Sequence, residues 1–165
     1  MQSLGFKEWA LVCAALGEGR QSVIIRKGGL AEGRDGFAFR HQEFFLFPTF
    51  FHEQLARVRL SAAVLPQPSP NEIEIRYFAR VEEARIMTNW TEVRELQPLH
   101  ILRESVVRER FNYEKSPGVH VAFVRTFQLD PVWRFPDAKA YGGCRSWVEL
   151  PEPPADLRLH RVVKE

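Results

Sequence analysis

Two histidines and two carboxylates bracket one apolar run in this sequence: His41 and Glu43 lead into FFLFPT, and His52 and Glu53 follow it. These are the residue types of a metal site or of a general acid/base pair, and a hydrolytic metal needs three or four such groups within bonding distance. His41, Glu43 and His52 would be the ligands, and with Glu53 they would serve a metal-dependent phosphodiesterase or nuclease. The spacing is not diagnostic. An HExxH pattern is broken because Ala56 stands where the second histidine belongs. A histidine and a glutamate around one strand are more often solvent-facing or satisfied by backbone groups. No serine or cysteine lies in a GxSxG context, so covalent catalysis has less support still.

A second group is cationic. The turn Arg26-Lys27-Gly28-Gly29 can present backbone N–H groups and an ammonium to a phosphate, as glycine-rich nests do. It is not a P-loop, whose GxxxxGK[ST] spacing is absent. Arg20, Arg34 and Arg40 are near in sequence, which leaves a phosphate-contacting patch and a plain hairpin turn with solvated charges evenly matched. Aromatic and basic residues also interleave at Trp133-Arg134-Phe135 and Arg145-Ser146-Trp147, and Trp9 and Trp90 have charged or polar neighbours. Aromatic platforms beside arginine hold unstacked bases. They equally mark where a core meets a surface, and for any single tryptophan the core is the commoner place.

The elements that would position these groups follow from periodicity. Trp9, Val12, Cys13 and Leu16 predict an amphipathic helix over Lys7–Leu16, with Gly17 and Gly19 as stops. SVIIRK reads as a strand covered on both faces. Leu30 to Gly36 reads as an exposed loop, and EFFLFPT as a core strand. Thr49 is placed to cap a short helix. Prolines 66, 68 and 70 make residues 61–71 an extended connector. Alternation from Ile73 to Glu82 predicts a half-exposed strand. A helix is predicted from Pro98 with Leu99, Leu102 and Val106 inward and Arg103, Glu104, Arg108, Glu109 and Arg110 outward. VHVAFVRTFQL is a long strand, VWRF an exposed segment between Pro131 and Pro136, and GGCRSWVEL a final strand. Together these predict an α+β fold: a mixed, mostly antiparallel curled sheet or small open barrel with flanking helices. The expected organisation is a single domain over 1–154 and a basic tail over 155–165.

Composition bounds the function. The 165 residues are enough for one cored domain. The 23 Lys and Arg against 21 Asp and Glu leave too small an excess to imply nucleic acid, so such a partner must be argued from local clustering. Arginine dominates the cations, which suits phosphate recognition, although a GC-rich genome gives the same bias. Cys13 and Cys144 cannot make a disulfide framework. The N-terminal stretch lacks the pattern of a signal peptide, and no run approaches the roughly 18 apolar residues of a membrane span. A cytoplasmic location without membrane contact is expected.

The runs KEWALVCAALGEGRQSVIIRKGGL and HQEFFLFPTFFHEQ resemble the bacterial domain-of-unknown-function family 1802, over nearly the whole chain. The matching elements are Lys7-Glu8-Trp9, Gly19-Arg20-Gln21, Arg26-Lys27-Gly28-Gly29, Glu43-Phe44, Leu46-Phe47-Pro48-Thr49 and His52. That family has no established activity. Its related domains occur beside restriction-type nuclease domains, which implies a recognition role in DNA restriction or defence, with a nuclease as partner protein. The later half, RYFARVEEARIMTNW and VHVAFVRTFQLDPVWRF, is similar in architecture to PUA-like pseudobarrels, whose relatives read RNA or modified bases in DNA.

The expected function is a nucleic-acid-binding module, with DNA ahead of RNA, no cofactor, and a non-enzymatic role favoured over catalysis. Arg26, Lys27, Gly28, Gly29 and Arg34 would contact phosphate, Trp9 or Trp133 would support a base, and a pocket near Thr49, His41 and Glu43 would select it. The alternatives are the metal-dependent phosphodiesterase and a protein-interaction subunit that docks through its aromatic surface.

Overall fold

The computed structural model describes residues 1–27, 37–60 and 64–163. Gly28, Gly29, Arg34 and the polar loop around them, the first three residues of the proline connector, and the last two of the tail lie outside the described residues.

The strands are β1 (Leu4–Trp9), β2 (Val23–Lys27), β3 (Glu43–Thr49), β4 (Glu72–Met87), β5 (Val119–Pro136), β6 (Trp147–Glu149) and β7 (Arg158–Arg161). The helices are α1 (Ala10–Gly17), α2 (Trp90–Arg94) and α3 (Glu104–Phe111), with 3-10 turns at His52–Arg57, Gln97–Leu99 and Lys139–Tyr141. The sheet runs β2-β5-β4-β3-β1-β6, and β7 joins the edge of β5 beyond β2. Its pairs are antiparallel except β1 with β3. The fold is thus the mixed α+β architecture predicted, with a mostly antiparallel sheet that curls and is not closed into a barrel. No helix among the described residues is long and apolar enough to cross a membrane.

Side chains on a strand alternate between faces, so one strand can feed two cores. In β3, Phe44 and Leu46 enter one cluster with Phe6, Ile24, Leu16 and Val121. Phe45 and Phe47 enter the other with Phe78, Leu129, Trp133 and Phe135. Each fully buried Phe, Leu or Ile side chain contributes about 1.5–3 kcal/mol. β4 and β5 form one long ribbon, bent where the register shifts at Ile75/Tyr77 and Val81/Glu83.

Four local expectations are corrected by tertiary pairing. The predicted Lys7–Leu16 helix begins only at Ala10, because Gly5 to Trp9 pair in parallel with Phe45 to Thr49. α1 is buried on most sides, and Gly19 beyond it takes φ 78°, the left-handed conformation that ends helices. Thr49 caps no helix; its Oγ1 donates instead to the Glu8 carbonyl at 3.2 Å. The helix read from Pro98 starts at Glu104, since Pro98 and Leu99 lie in a 3-10 turn and the chain after it is held out of the helix by Ser22 N–H to Leu99 O, Ile101 N–H to Gln21 Oε1, and a bridge from Val58 to Leu102. VWRF, expected as an exposed segment, belongs to β5.

The open seam of the curled sheet lies between β2, an edge strand, and the end of β1 past Phe6 that β6 does not pair with. Arg26 spans it: Nη2 donates to Lys7 O, Nη1 lies 3.4 Å from Glu8 Oε2, and the guanidinium sits 4.5 Å from the Phe6 ring centre. Glu8 is 3% exposed, so its carboxylate depends on that cation. Removing one member of a buried pair strands the other charge. Arg26→Gln should therefore cost about 3–5 kcal/mol in urea unfolding. Adding Glu8→Gln should return a large part of that loss; a double variant no more stable than the single one would show that charge pairing is not what holds the seam.

Gly17 lies directly beneath Tyr77: a Cβ there would be 2.1 Å from the ring Cζ. Gly17→Ala should destabilise by about 1–3 kcal/mol, the usual cost of overpacking. In a Tyr77→Ala background the same change should cost nothing or stabilise, because alanine favours a helix over glycine. Equal costs in both backgrounds would exclude the ring as the obstacle.

Burial, with Arg59 and Arg110 nearby, holds the His100 imidazole down at about 4. Its Nδ1 accepts the Leu102 N–H at 3.1 Å, as a neutral ring can. The unfolded chain protonates near the ordinary value of about 6.5. The contribution of neutral His100 is therefore complete above about pH 6.5 and is lost as pH falls toward 4, by up to about 1.4 kcal/mol per pH unit. His100→Asn keeps an acceptor without a titration and should flatten stability against pH in that window. A slope like that of the wild type would assign the acid sensitivity to other groups.

Candidate functional site

Alternation along β1 turns Phe6 and Glu8 inward and Lys7 to the other side, while Trp9, where the strand ends, packs against the cluster of Phe6. Across the seam, β2 ends with Arg26 half-buried and Lys27 exposed, and α3 with the residues after it supplies Glu109, Arg110 and Tyr113. With Arg57 from the 3-10 turn, these side chains line a cleft of about 310 Å³.

Its floor is fixed. Arg110 Nη1 donates to Ile25 O at 2.7 Å, and its guanidinium lies 4.8 Å from the Trp9 ring centre. Trp9 is steadied on another side by Phe51, edge-on at 5.2 Å. Burial, followed by the charge of Arg26, lowers Arg110 to about 10. It remains a cation at neutral pH. Arg26 adds a buried Nε that has no hydrogen-bond partner among the described residues. The rim is looser. Lys27 Nζ rests 3.9 Å over the ring of Tyr113, and Arg57 meets Glu109 only at 4.0 Å, with both side chains solvated.

Such an arrangement binds anions. Guanidinium forks held by backbone carbonyls and aromatic faces are preorganised for phosphate or carboxylate oxygens. Among the described residues the one serine that lines the cleft, Ser146, has no histidine or carboxylate base hydrogen-bonded to it. Cys13 lies below the cleft with its thiol pushed well up by burial, and its Sγ donates to Glu8 O at 3.7 Å, as a structural cysteine does.

The structure brings Trp9, Arg26 and Lys27 to one place, and Thr49 joins them through Glu8. Gly28, Gly29 and Arg34 lie outside the described residues. Trp133 is elsewhere: it is 4% exposed, on the opposite face of the sheet, packed on Phe45 and Phe135. Both its faces are covered, so it offers no platform for a base.

The candidate metal ligands are not brought together. His41 stands edge-on to Trp147 at 4.9 Å, and Glu43 pairs with Arg80 at 2.9 Å. His52 and Glu53 sit exposed beyond the other end of β3. The seven residues of β3 separate the two pairs by about 20 Å. Among the described residues no three His, Cys, Asp or Glu side chains group closely enough to hold a metal.

Glu8, the partner of Arg26, and the lining residues Arg57, Arg110 and Tyr113 are ones that sequence reasoning did not select. The period-two pattern of Phe6 and Glu8 was the available signal for the first. For Arg110 it was its place beside the buried Phe111 in the last turn of α3.

No curated protein matches the sequence. Among solved structures the chain is similar to the ASCH protein of Zymomonas mobilis. A serine-to-alanine variant of that protein is 13% identical with a TM-score of 0.52, covering 90% of this chain and 88% of that one. A tyrosine-to-phenylalanine variant is 13% identical with a TM-score of 0.51, covering 92% of each. This likeness shows the fold, that of the ASCH domains within the PUA-like class. The model of the family described as "Domain of unknown function (DUF1802)" matches residues 5–165, and the chain belongs to that family.

Proposed function

We propose that this protein is a nucleic-acid-binding module whose phosphate contacts are made in the cleft between the end of β2, the 3-10 turn at His52–Arg57 and α3. One observation carries the reading: Arg26, Lys27, Arg57 and Arg110 line one recess with Glu109, and the buried Glu8 is the partner of Arg26. Phosphate contacts position a protein on nucleic acid and make its affinity salt-dependent. The fold shared with ASCH domains and the aromatic neighbours Trp9 and Tyr113 are compatible with this role. On the family resemblance, DNA is the first polymer to test, in a recognition role linked to restriction or defence with a nuclease as partner. Gly28, Gly29 and Arg34 would extend the same contact surface. The phosphodiesterase reading has no geometric support, because its ligands stand at opposite ends of β3.

Lys27 is exposed and ends its strand, so Lys27→Ala removes a phosphate contact without opening the core. Fluorescence anisotropy on single-stranded and duplex DNA and RNA across a salt series should show weaker binding for every sequence. The slope of log affinity against log salt should fall by about 1. Affinity and slope both equal to those of the wild type would remove Lys27 from the interface, and absence of wild-type binding would overturn the reading.

A further inference from the structure

The cleft is recessed. The Arg26 side chain is 16% exposed and Arg110 is half-buried beneath Tyr113 and Glu109, so an anion must enter the recess to meet both guanidinium groups. An internal phosphate of a duplex is held between two sugars on a convex surface and cannot penetrate. A phosphate at a strand end is bonded on one side only and protrudes.

Charge points the same way. The described cleft lining comprises four cations and Glu109, and with Glu8, the buried partner of Arg26, counted against them an excess of two positive charges remains. A phosphomonoester carries about −1.5 to −2 at neutral pH with three free oxygens, whereas an internal phosphodiester carries a single charge. The volume of about 310 Å³ is at the lower end of ligand-sized cavities, suited to one nucleotide and not to a helix.

We infer that the cleft binds the terminal phosphomonoester of a nucleic-acid strand. This rests on the nucleic-acid reading of the same cleft. Arg26 and Arg110 form the rigid floor beneath the phosphate. Lys27 and Arg57, weakly held at the rim, turn inward onto its free oxygens. The ring of Tyr113, 60% exposed, borders the terminal sugar and base. No covalent bond is made or broken.

The test uses the full chain and an internally labelled single-stranded DNA and its RNA counterpart, each with a 5′-phosphate, a 3′-phosphate, or hydroxyls at both ends. A phosphate at one end should tighten binding by about tenfold or more over the dihydroxyl strand, the effect of one further charge-assisted contact. Arg57→Gln should lower the affinity for the phosphorylated strands more than for the dihydroxyl strand, so that most of the difference between them is lost. Lys27→Gln, at an exposed strand end, gives a second reading should the turn bearing Arg57 be disturbed. Equal affinities for phosphorylated and dihydroxyl strands would overturn the end-recognition inference while leaving nucleic-acid binding intact. A nucleoside monophosphate that competes as well as the phosphorylated strand would overturn it in favour of a free-nucleotide site. No binding to any strand would sink both readings.

Discussion

A sheet that curls without closing leaves two edges facing one another with no ladder between them, and backbone and side chains there must find other partners. Here the partner is a guanidinium. Arg26 joins β2 to β1 by a carbonyl, a carboxylate and an aromatic face at once. A lysine has neither the fork nor the flat surface to reproduce these contacts. Glu8 in turn is a small hub: its carboxylate accepts the Trp9 N–H, and its carbonyl accepts from Thr49 Oγ1 and Cys13 Sγ. The pair therefore fixes where α1 leaves β1, where Trp9 points, and how far Arg110 can descend.

A seam of this kind also makes a recess. Arg26 is committed to structure on one side and carries a buried Nε that has no hydrogen-bond partner among the described residues. The charges on the long ribbon of β4 and β5 behave differently. Arg80 with Glu43, Arg125 with Glu82 and Arg134 with Glu74 pair across strands in solvent. Exposed pairs of this sort are each worth about 0–1 kcal/mol. The abundance of arginine thus divides into a neutralised outer face and a concentrated cleft, a division that net charge conceals.

Much of the fold was legible because its strands obey simple periods. SVIIRK, EFFLFPT, the alternating run after Asn71 and VHVAFVRTFQL are all strands. What misled was local pattern overruled by distant pairing. Trp9, Val12, Cys13 and Leu16 have helical spacing, yet Trp9 ends a strand because β3 pairs with β1. That one misassignment hid Glu8, whose inward direction appears only when the segment is read with period two. Starting the later helix at Pro98 hid Arg110 similarly, since the phase of α3 is set by Val106, Val107 and Phe111. α2 was missed although Asn89 and Glu92 carry a capping signature, with Asn89 Oδ1 accepting the Glu92 N–H at 3.3 Å. Of the site, Trp9, Arg26, Lys27 and Thr49 were selected from sequence. The residues that complete the cleft come from turns and helices far along the chain, and no local signal joins them to it.

The placement of β1 bears on how the chain assembles. One edge of β1 pairs with β3, but the other pairs with β6, where Gly5 lies opposite Val148. During synthesis from the N-terminus, that second edge stays bare until most of the chain has been made, and non-local pairing of this kind slows folding. For that interval β1 is an unpaired apolar edge open to other strands. The polar Lys7 and Glu8 in its middle interrupt what would otherwise be a continuous sticky segment, so the residues that later shape the cleft also act as gatekeepers against aggregation while the sheet is incomplete.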